Sequence, residues 1–230
     1  MRKINNDRYL NIPWNPEPLV TEVALLMMMR REPISPFIIQ LYDWFEHPKE
    51  FTLVMEYPEP CETLDDAMSR RPWSDMFSRV VMMQAVMAVK VCYEHGVFHS
   101  DIHAKNFLLM KNQLKLIDFG CGQLLSWNGY ESVTYRGAPG YCPPEILTEP
   151  RFHAVPANVW SLGVLLYELS NECLPFYDTT DIEQAEFTFQ NRNLSKYCRD
   201  LIRQCLDRDP SKRPSLEQML QHPWFKVGLN

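Results

Sequence analysis

The chain has 230 residues, 46% of them hydrophobic and 23% charged, the balance of a folded protein and not of a disordered tail. Lys and Arg total 23 against 29 Asp and Glu, a net charge of −6, so the basic footprint of a nucleic-acid binder is missing and no nucleic-acid partner is expected. The longest purely apolar run, Val23 to Met29, falls far short of the ~20 residues that cross a bilayer, and the opening MRKINNDRYL has no apolar stretch of a signal peptide, so neither a membrane partner nor secretion is expected.

In chain order, residues 19–31 follow Pro18 without an internal breaker and predict a helix ending near Glu32-Pro33. Residues 37–45 and 51–56 are apolar and β-rich around His47-Pro48-Lys49-Glu50, an antiparallel pair with a short turn. Pro58 and Pro60 then make residues 56–60 an extended connector. Ser74 to His95 carries apolar residues at helical spacing with no Gly or Pro, and Gly96 follows: a long buried helix with Ser74 as N-cap and Gly96 at C′. Residues 106–110 and 113–118 flank Lys111-Asn112 as a hairpin. Gly and Pro then crowd residues 118–153, a long irregular segment of the kind that carries function. Helices are predicted at 156–170, 194–207 and 215–221, the last opened by Pro214 and a Ser215-x-x-Gln218 capping box. A small strand-containing unit, a proline-rich connector and a larger helical unit make this an α+β chain.

Glycine is scarce: there are eight, none before Gly96, so the first 95 residues hold no loop that could cradle phosphates with backbone N–H groups. Seven cysteines, an odd number without a CxxC pair, read as free thiols in a reducing compartment. Around the hairpin lie Asp101 after His99, Asn106 at the entrance, and Asp118 at the exit before Phe119-Gly120. A hairpin joins its own ends, so Asn106 and Asp118 should converge as oxygen donors for a hard cation such as Mg²⁺. Asp101 then stands where a carboxylate could take a proton beside that metal, the arrangement phosphoryl transfer requires.

With these residues in place the chain resembles a eukaryotic protein kinase over nearly its whole length. His99-Ser100-Asp101 with Asn106 resembles the H-R-D-x-x-x-x-N catalytic loop, Asp118-Phe119-Gly120 resembles DFG, and Pro143-Pro144-Glu145 resembles A-P-E. Within kinases it is similar to the PIM serine/threonine family: Glu56-Tyr57-Pro58-Glu59-Pro60 resembles that family's hinge, and LYDWFEHP, LKLIDFGCG, YCPPE, VWSLGVLLYEL and RPSLEQMLQHPWF match in turn. The resemblance implies a bilobal fold, with a partial small lobe at 1–55, a hinge at 56–62 and a complete, mainly helical large lobe at 63–230, whose activation segment is 118–145. It implies an ATP- and Mg²⁺-dependent serine/threonine kinase, monomeric, cytosolic or nuclear, acting on a protein substrate. Carried over by position, Asp101 orients the substrate hydroxyl and accepts its proton, Asn106 and Asp118 hold Mg²⁺, and Glu22 is the helix glutamate that pairs with the strand lysine. Met55 guards the back of the adenine pocket, Glu56 and Pro58 line its hinge, and Leu108 forms its floor. Glu145 and Arg213 brace the activation segment.

The departures from the family fall on one small surface. Ser100 replaces Arg, His103 replaces the Lys that contacts the transferring phosphoryl, and Ala138 stands where a Thr would touch that Lys. The glycine-rich loop and its lysine strand are expected upstream of Met1; Lys3 is the one nearby candidate partner for Glu22, in a setting unlike a buried strand. In the acidic surface that family members use for arginine-rich peptides, Asp66 matches while Thr63 and Lys105 replace carboxylates. Two functional classes follow: an ATP:protein phosphotransferase, or a catalytically silent kinase-like module that acts by binding proteins. A metal site on His95, His99 and His103 is the weaker alternative, because Gly96 ends the helix between the first and second.

Overall fold

The computed structural model describes residues 9–47, 50–70 and 73–226. A two-residue antiparallel pair opens it, β1 (Tyr9–Leu10) with β2 (Leu19–Val20). Leu19 and Val20 are thus in a strand, and helix α1 begins only at Thr21 and ends at Met29. Its sequence is apolar on nearly every side, and Val23 to Leu26, Met28 and Met29 are all buried. Next come β3 (Leu41–Glu46) and β4 (Phe51–Met55), paired antiparallel. The strand expected from residue 37 starts late for a physical reason: Phe37 to Ile39 pair elsewhere. The Leu116 N–H donates to Phe37 O at 2.8 Å and Ile39 N–H donates to Leu116 O at 3.0 Å, tying this stretch to the distant hairpin.

A short strand, β5 (Glu62–Thr63), leads into α2 (Leu64–Met68), which the Thr63 hydroxyl caps by accepting from Asp66 N–H. The long helix α3 (Asp75–Glu94) is the expected one: Ser74 caps Phe77 N–H, and Gly96 takes φ +75 just beyond His95, where a side chain would cost energy. By length and a mean hydropathy of 1.3, α3 is the one described helix that could cross a membrane. Here nine of its residues, among them Val81, Met82 and Val89, are buried in the protein core.

Strand β6 (Val97–Phe98) precedes the hairpin of β7 (Phe107–Met110) and β8 (Gln113–Leu116). Leu108 lies opposite Lys115 and Leu109 opposite Leu114, and the sheet order is β5-β7-β8. Gln84 of α3 grips the turn: its Nε2 donates to Asn112 O at 2.8 Å and its Oε1 accepts from Leu114 N–H at 2.9 Å. The segment expected to be irregular contains β9 (Gln123–Leu124) paired with β6, β10 (Tyr130–Glu131), α4 (Pro144–Thr148) and β11 (Arg151–Phe152) paired with β10. Helix α5 (Ala154–Asn171) starts before Pro156, which is tolerated in a first turn because its missing N–H would be unpaired there anyway. Helices α6 (Thr179–Gln184), α7 (Lys196–Cys205), α8 (Leu216–Gln221) and α9 (Pro223–Lys226) complete the chain, and the Ser215–Gln218 capping box forms as expected. Helix α3 packs on β8 and α5, and α5 packs on α7, around Trp160, Tyr167 and Trp224.

Candidate active site

The hairpin does what its sequence requires. Pairing continues one step past the strands, with Ile117 N–H donating to Asn106 O at 2.9 Å, so Asp118 emerges one residue beyond Asn106's partner. Asn106 is buried, and its Nδ2 donates to Asp101 O at 2.9 Å and to Asp101 Oδ2 at 3.0 Å. With its amide nitrogen spent on Asp101, Asn106 has its Oδ1 left as an acceptor.

Asp101 is held by three donors. Besides Asn106, Ala138 N–H donates to its Oδ1 at 2.8 Å and His103 Nε2 lies 3.3 Å from its Oδ2. Because His103 Nδ1 accepts Lys105 N–H at 3.2 Å, a ring proton sits on Nε2 and points at Asp101. Burial pushes the Asp101 carboxyl up, but the hydrogen bonds from His103 and Ala138 N–H together hold it below its ordinary value. His99 lies behind this group, fully buried, with Nε2 against Ile117 O at 3.1 Å and Nδ1 accepting Asp101 N–H at 3.3 Å. Burial lowers its pKa to about 4, so the ring is neutral and structural.

Asp118 is exposed, with φ +59, and its Oδ1 accepts Gly120 N–H at 3.1 Å. Glu22 of α1 faces the same spot: a Cβ on Gly120 would lie 3.1 Å from Asp118 Oδ1 and 3.9 Å from Glu22 Oε2. Burial raises the Glu22 carboxyl and the Asp118 charge raises it further, against one hydrogen bond from Phe119 N–H. No cation among the described residues answers it; Lys3 lies outside them.

Met55 ends β4, 36% exposed, and Glu56 follows with its N–H on Gln40 O at 2.8 Å. The Glu56 carboxylate pairs with Lys115 Nζ at 3.0 Å, and Lys115, 6% exposed, also reaches Ile38 O at 3.4 Å. Sequence reading missed this lysine because it sits in an apolar strand where a Lys reads as solvated. Its place opposite Leu108 puts both side chains on one face of the hairpin, so Leu108, Lys115 and Glu56 belong to one side of the sheet. Pro58 follows without a backbone N–H to offer.

Glu145 and Arg213 are brought together from 68 residues apart by two hydrogen bonds, at 2.8 and 2.7 Å. Arg213 also donates to the carbonyls of Asp207 and Pro156 and stacks over Trp160 at 4.9 Å. Ser132 and Thr134, the hydroxyls of the intervening segment, donate to Glu149 O and Glu131 O at 2.6 and 2.7 Å. Ser100 takes φ +71, and its buried Oγ has no hydrogen-bond partner, as is also true of Tyr135 Oη. Gly137 is required between them: a Cβ there would come within 2.3 Å of both Ser100 O and Tyr135 Oη.

A second missed feature is Glu168. It accepts from Tyr141 O–H, and with Asp65, His103 and Lys105 it lines a cavity of about 280 Å³. Burial raises its carboxyl. Asp66, by contrast, is engaged by the Thr63 hydroxyl at 2.7 Å, and Glu62 pairs with Arg70. The three histidines do not converge: His95 spends both ring nitrogens on Val91 O and Arg31 O. Among the described residues no three His, Cys, Asp or Glu side chains cluster as metal ligands.

A protein kinase domain model matches residues 2–225. The chain is similar to serine/threonine-protein kinase pim-2 of Danio rerio, 38% identical over 98% of this chain and 75% of that protein. It is 36% identical to serine/threonine-protein kinase prk-2 of Caenorhabditis elegans over 82% of this chain, and 34% identical to serine/threonine-protein kinase ULK3 of Homo sapiens over 92%. These matches cover 44% and 46% of the nematode and human proteins. With the expected α+β architecture, they establish that the chain belongs to the protein kinase family, in its serine/threonine branch.

Proposed function

We propose that this site serves MgATP-dependent phosphoryl transfer to a protein serine or threonine, of the PIM-like type, with transfer by this chain slow. One observation carries the reading: the Asp101 carboxylate and backbone carbonyl are both fixed by Asn106, at the hairpin end that also delivers Asp118. Residues 1–55 are read as part of a small lobe, 56–62 as a hinge, and 63–230 as a large lobe. Met55, Glu56, Pro58 and Leu108 would border the base of ATP. The donor set fits a hard cation: Asn106 keeps an oxygen available, Asp118 is exposed, and Glu22 adds negative charge that no described cation offsets. Mg²⁺ bound there would neutralise phosphate charge. Asp101 accepts the substrate hydroxyl and orients it, while Asn106 and Ala138 N–H keep its carboxylate in place. The seven cysteines are free thiols, in keeping with a cytosolic or nuclear setting.

A second reading, a silent protein-binding module, rests on His103. Its Nε2–H is directed at Asp101 and not outward, and an imidazole does not supply the fixed cation that a lysine does. Losing one preorganised donor of this kind costs about 10²–10³ in rate. Lys105 beside the Asp65–Glu168 cavity should likewise weaken preference for arginine-rich peptides by repelling them. Calorimetry with MgATP and radiolabel transfer to a peptide mixture test both readings. The phosphotransferase reading expects MgATP binding weaker than micromolar and a slow transfer that His103→Lys raises. Binding with no transfer, before and after that substitution, would establish the silent module instead.

A further inference from the structure

A cavity of about 650 Å³ lies on the side of the hairpin away from Glu56 and Lys115. Leu108 and Leu109 are consecutive in β7 and so point to opposite faces. Leu108 shares its face with Lys115, whereas Leu109 lies opposite Glu62 and lines this second groove with it. Ala67 of α2, Arg70 and Trp73 beyond it, and Phe77 in the first turn of α3 form the facing wall. There Trp73 and Phe77 meet edge to face at 4.6 Å. The Trp73 indole N–H is spent on Ala67 O at 3.4 Å, so the ring offers the groove only its apolar body.

Charge in this groove opposes that of the chain. Its charged lining is Arg70, Glu62 and Lys111, two cations and one anion, on a protein of net charge −6. Glu62 already pairs with Arg70, which leaves Lys111 as the unanswered charge. Lys111 sits exposed at the hairpin tip with φ +53, a conformation that favours glycine or asparagine, and no described acid pairs with it. An aromatic trough ending at an unpaired ammonium fits an apolar side chain followed by a carboxylate. A second copy of this acidic chain gains little from such a cation beyond local contact, and a basic segment is repelled by it.

We infer that this groove docks a partner protein through an extended segment in which an aromatic or aliphatic residue is flanked by Asp or Glu. The apolar residue packs between Pro60, Trp73, Phe77 and Leu109, and the acid meets Lys111. This surface is separate from the candidate active site and does not depend on phosphate transfer. The test uses the full chain without nucleotide and a short fluorescein-labelled peptide carrying Phe-Leu between Asp-Glu pairs, read by fluorescence anisotropy. A charge-reversed peptide carrying Lys-Arg pairs is the comparison. The acidic peptide should bind and the basic one should not, higher salt should weaken binding, and Lys111→Glu should weaken it about three- to tenfold. In a Cys121→Ser, Cys173→Ser background, saturating acidic peptide should also slow alkylation of Cys61, which lines the groove and is half-buried. Equal binding of the two peptides, indifference to Lys111→Glu, or unaltered Cys61 alkylation would overturn the inference.

Discussion

The surroundings of Arg213 and of Asp118 treat charge in opposite ways. The Arg213 side chain is completely buried, yet it meets the Glu145 carboxylate with two hydrogen bonds and also donates to backbone carbonyls. Asp118 and Glu22 face one another across Gly120, and no described cation lies between them. One cluster is electrostatically closed by the fold itself. The other holds negative charge that no described residue offsets. Between them, Asp101 is satisfied by hydrogen bonds while still ionised, an anion held ready in a fixed orientation.

The largest effect should come from opening the closed cluster. Arg213→Met leaves Glu145 buried without a partner and should cost about 3–5 kcal/mol, read as a lower urea midpoint and melting temperature. Adding Glu145→Leu to it should restore much of the loss, since the uncompensated carboxylate is then gone. A wild-type melting curve for Arg213→Met would show that the pair does not brace this region.

A smaller effect separates the two clusters by pH. His99 has a folded pKa of about 4 against 6.5 unfolded. The unfolded chain therefore takes up the proton first as pH falls, and stability is lost from about pH 6.5 downward, levelling off near pH 4. The full loss is about 3 kcal/mol at 1.4 kcal/mol per pH unit. Glu22 and Glu168, with raised pKa values, act in the other direction, gaining stability as pH falls. The measurement is thus the difference in urea stability between wild type and His99→Gln across pH 4–7. Parallel curves would mean that folding does not lower the His99 pKa.

Smallest should be the gain from relieving the open cluster. Glu22→Gln removes a carboxylate disfavoured by burial and by Asp118, and it should stabilise the chain by less than about 1 kcal/mol after solvent screening. The gain should shrink as pH falls toward 4.5, because the folded wild-type carboxyl, with its raised pKa, takes up its proton before the unfolded one does. Destabilisation instead would reveal a cation already paired with Glu22 and would break the contrast drawn here.

Much of this was legible in the sequence where the cause is local. Ser74, Gly96 and the Ser215 box mark helix ends because capping is decided within four residues, and the hairpin announces Asn106 and Asp118 because its turn is two residues long. What stayed hidden depends on distant partners. Residues 37–39 read as part of a hairpin strand but are taken by Leu116, and β6 and β9 are two residues each, made strands only by one another. Lys115 and Glu168 were missed for the same reason: nothing beside them in sequence says that Glu56 or Tyr141 will meet them.

The grip of Gln84 on the hairpin turn is also an instruction about phase. A strand pairing can slide, and because side chains alternate, a slip of one residue turns every one of them to the wrong face. Sliding β8 by one position against β7 would move Asp118 away from Asn106 and carry Lys115 from Glu56 toward the far groove. A single amide from α3, holding Asn112 O in the turn and Leu114 N–H in β8, fixes where β8 begins. The chemistry gathered at one end of the hairpin is thereby kept in step by a residue at the other end that touches none of it.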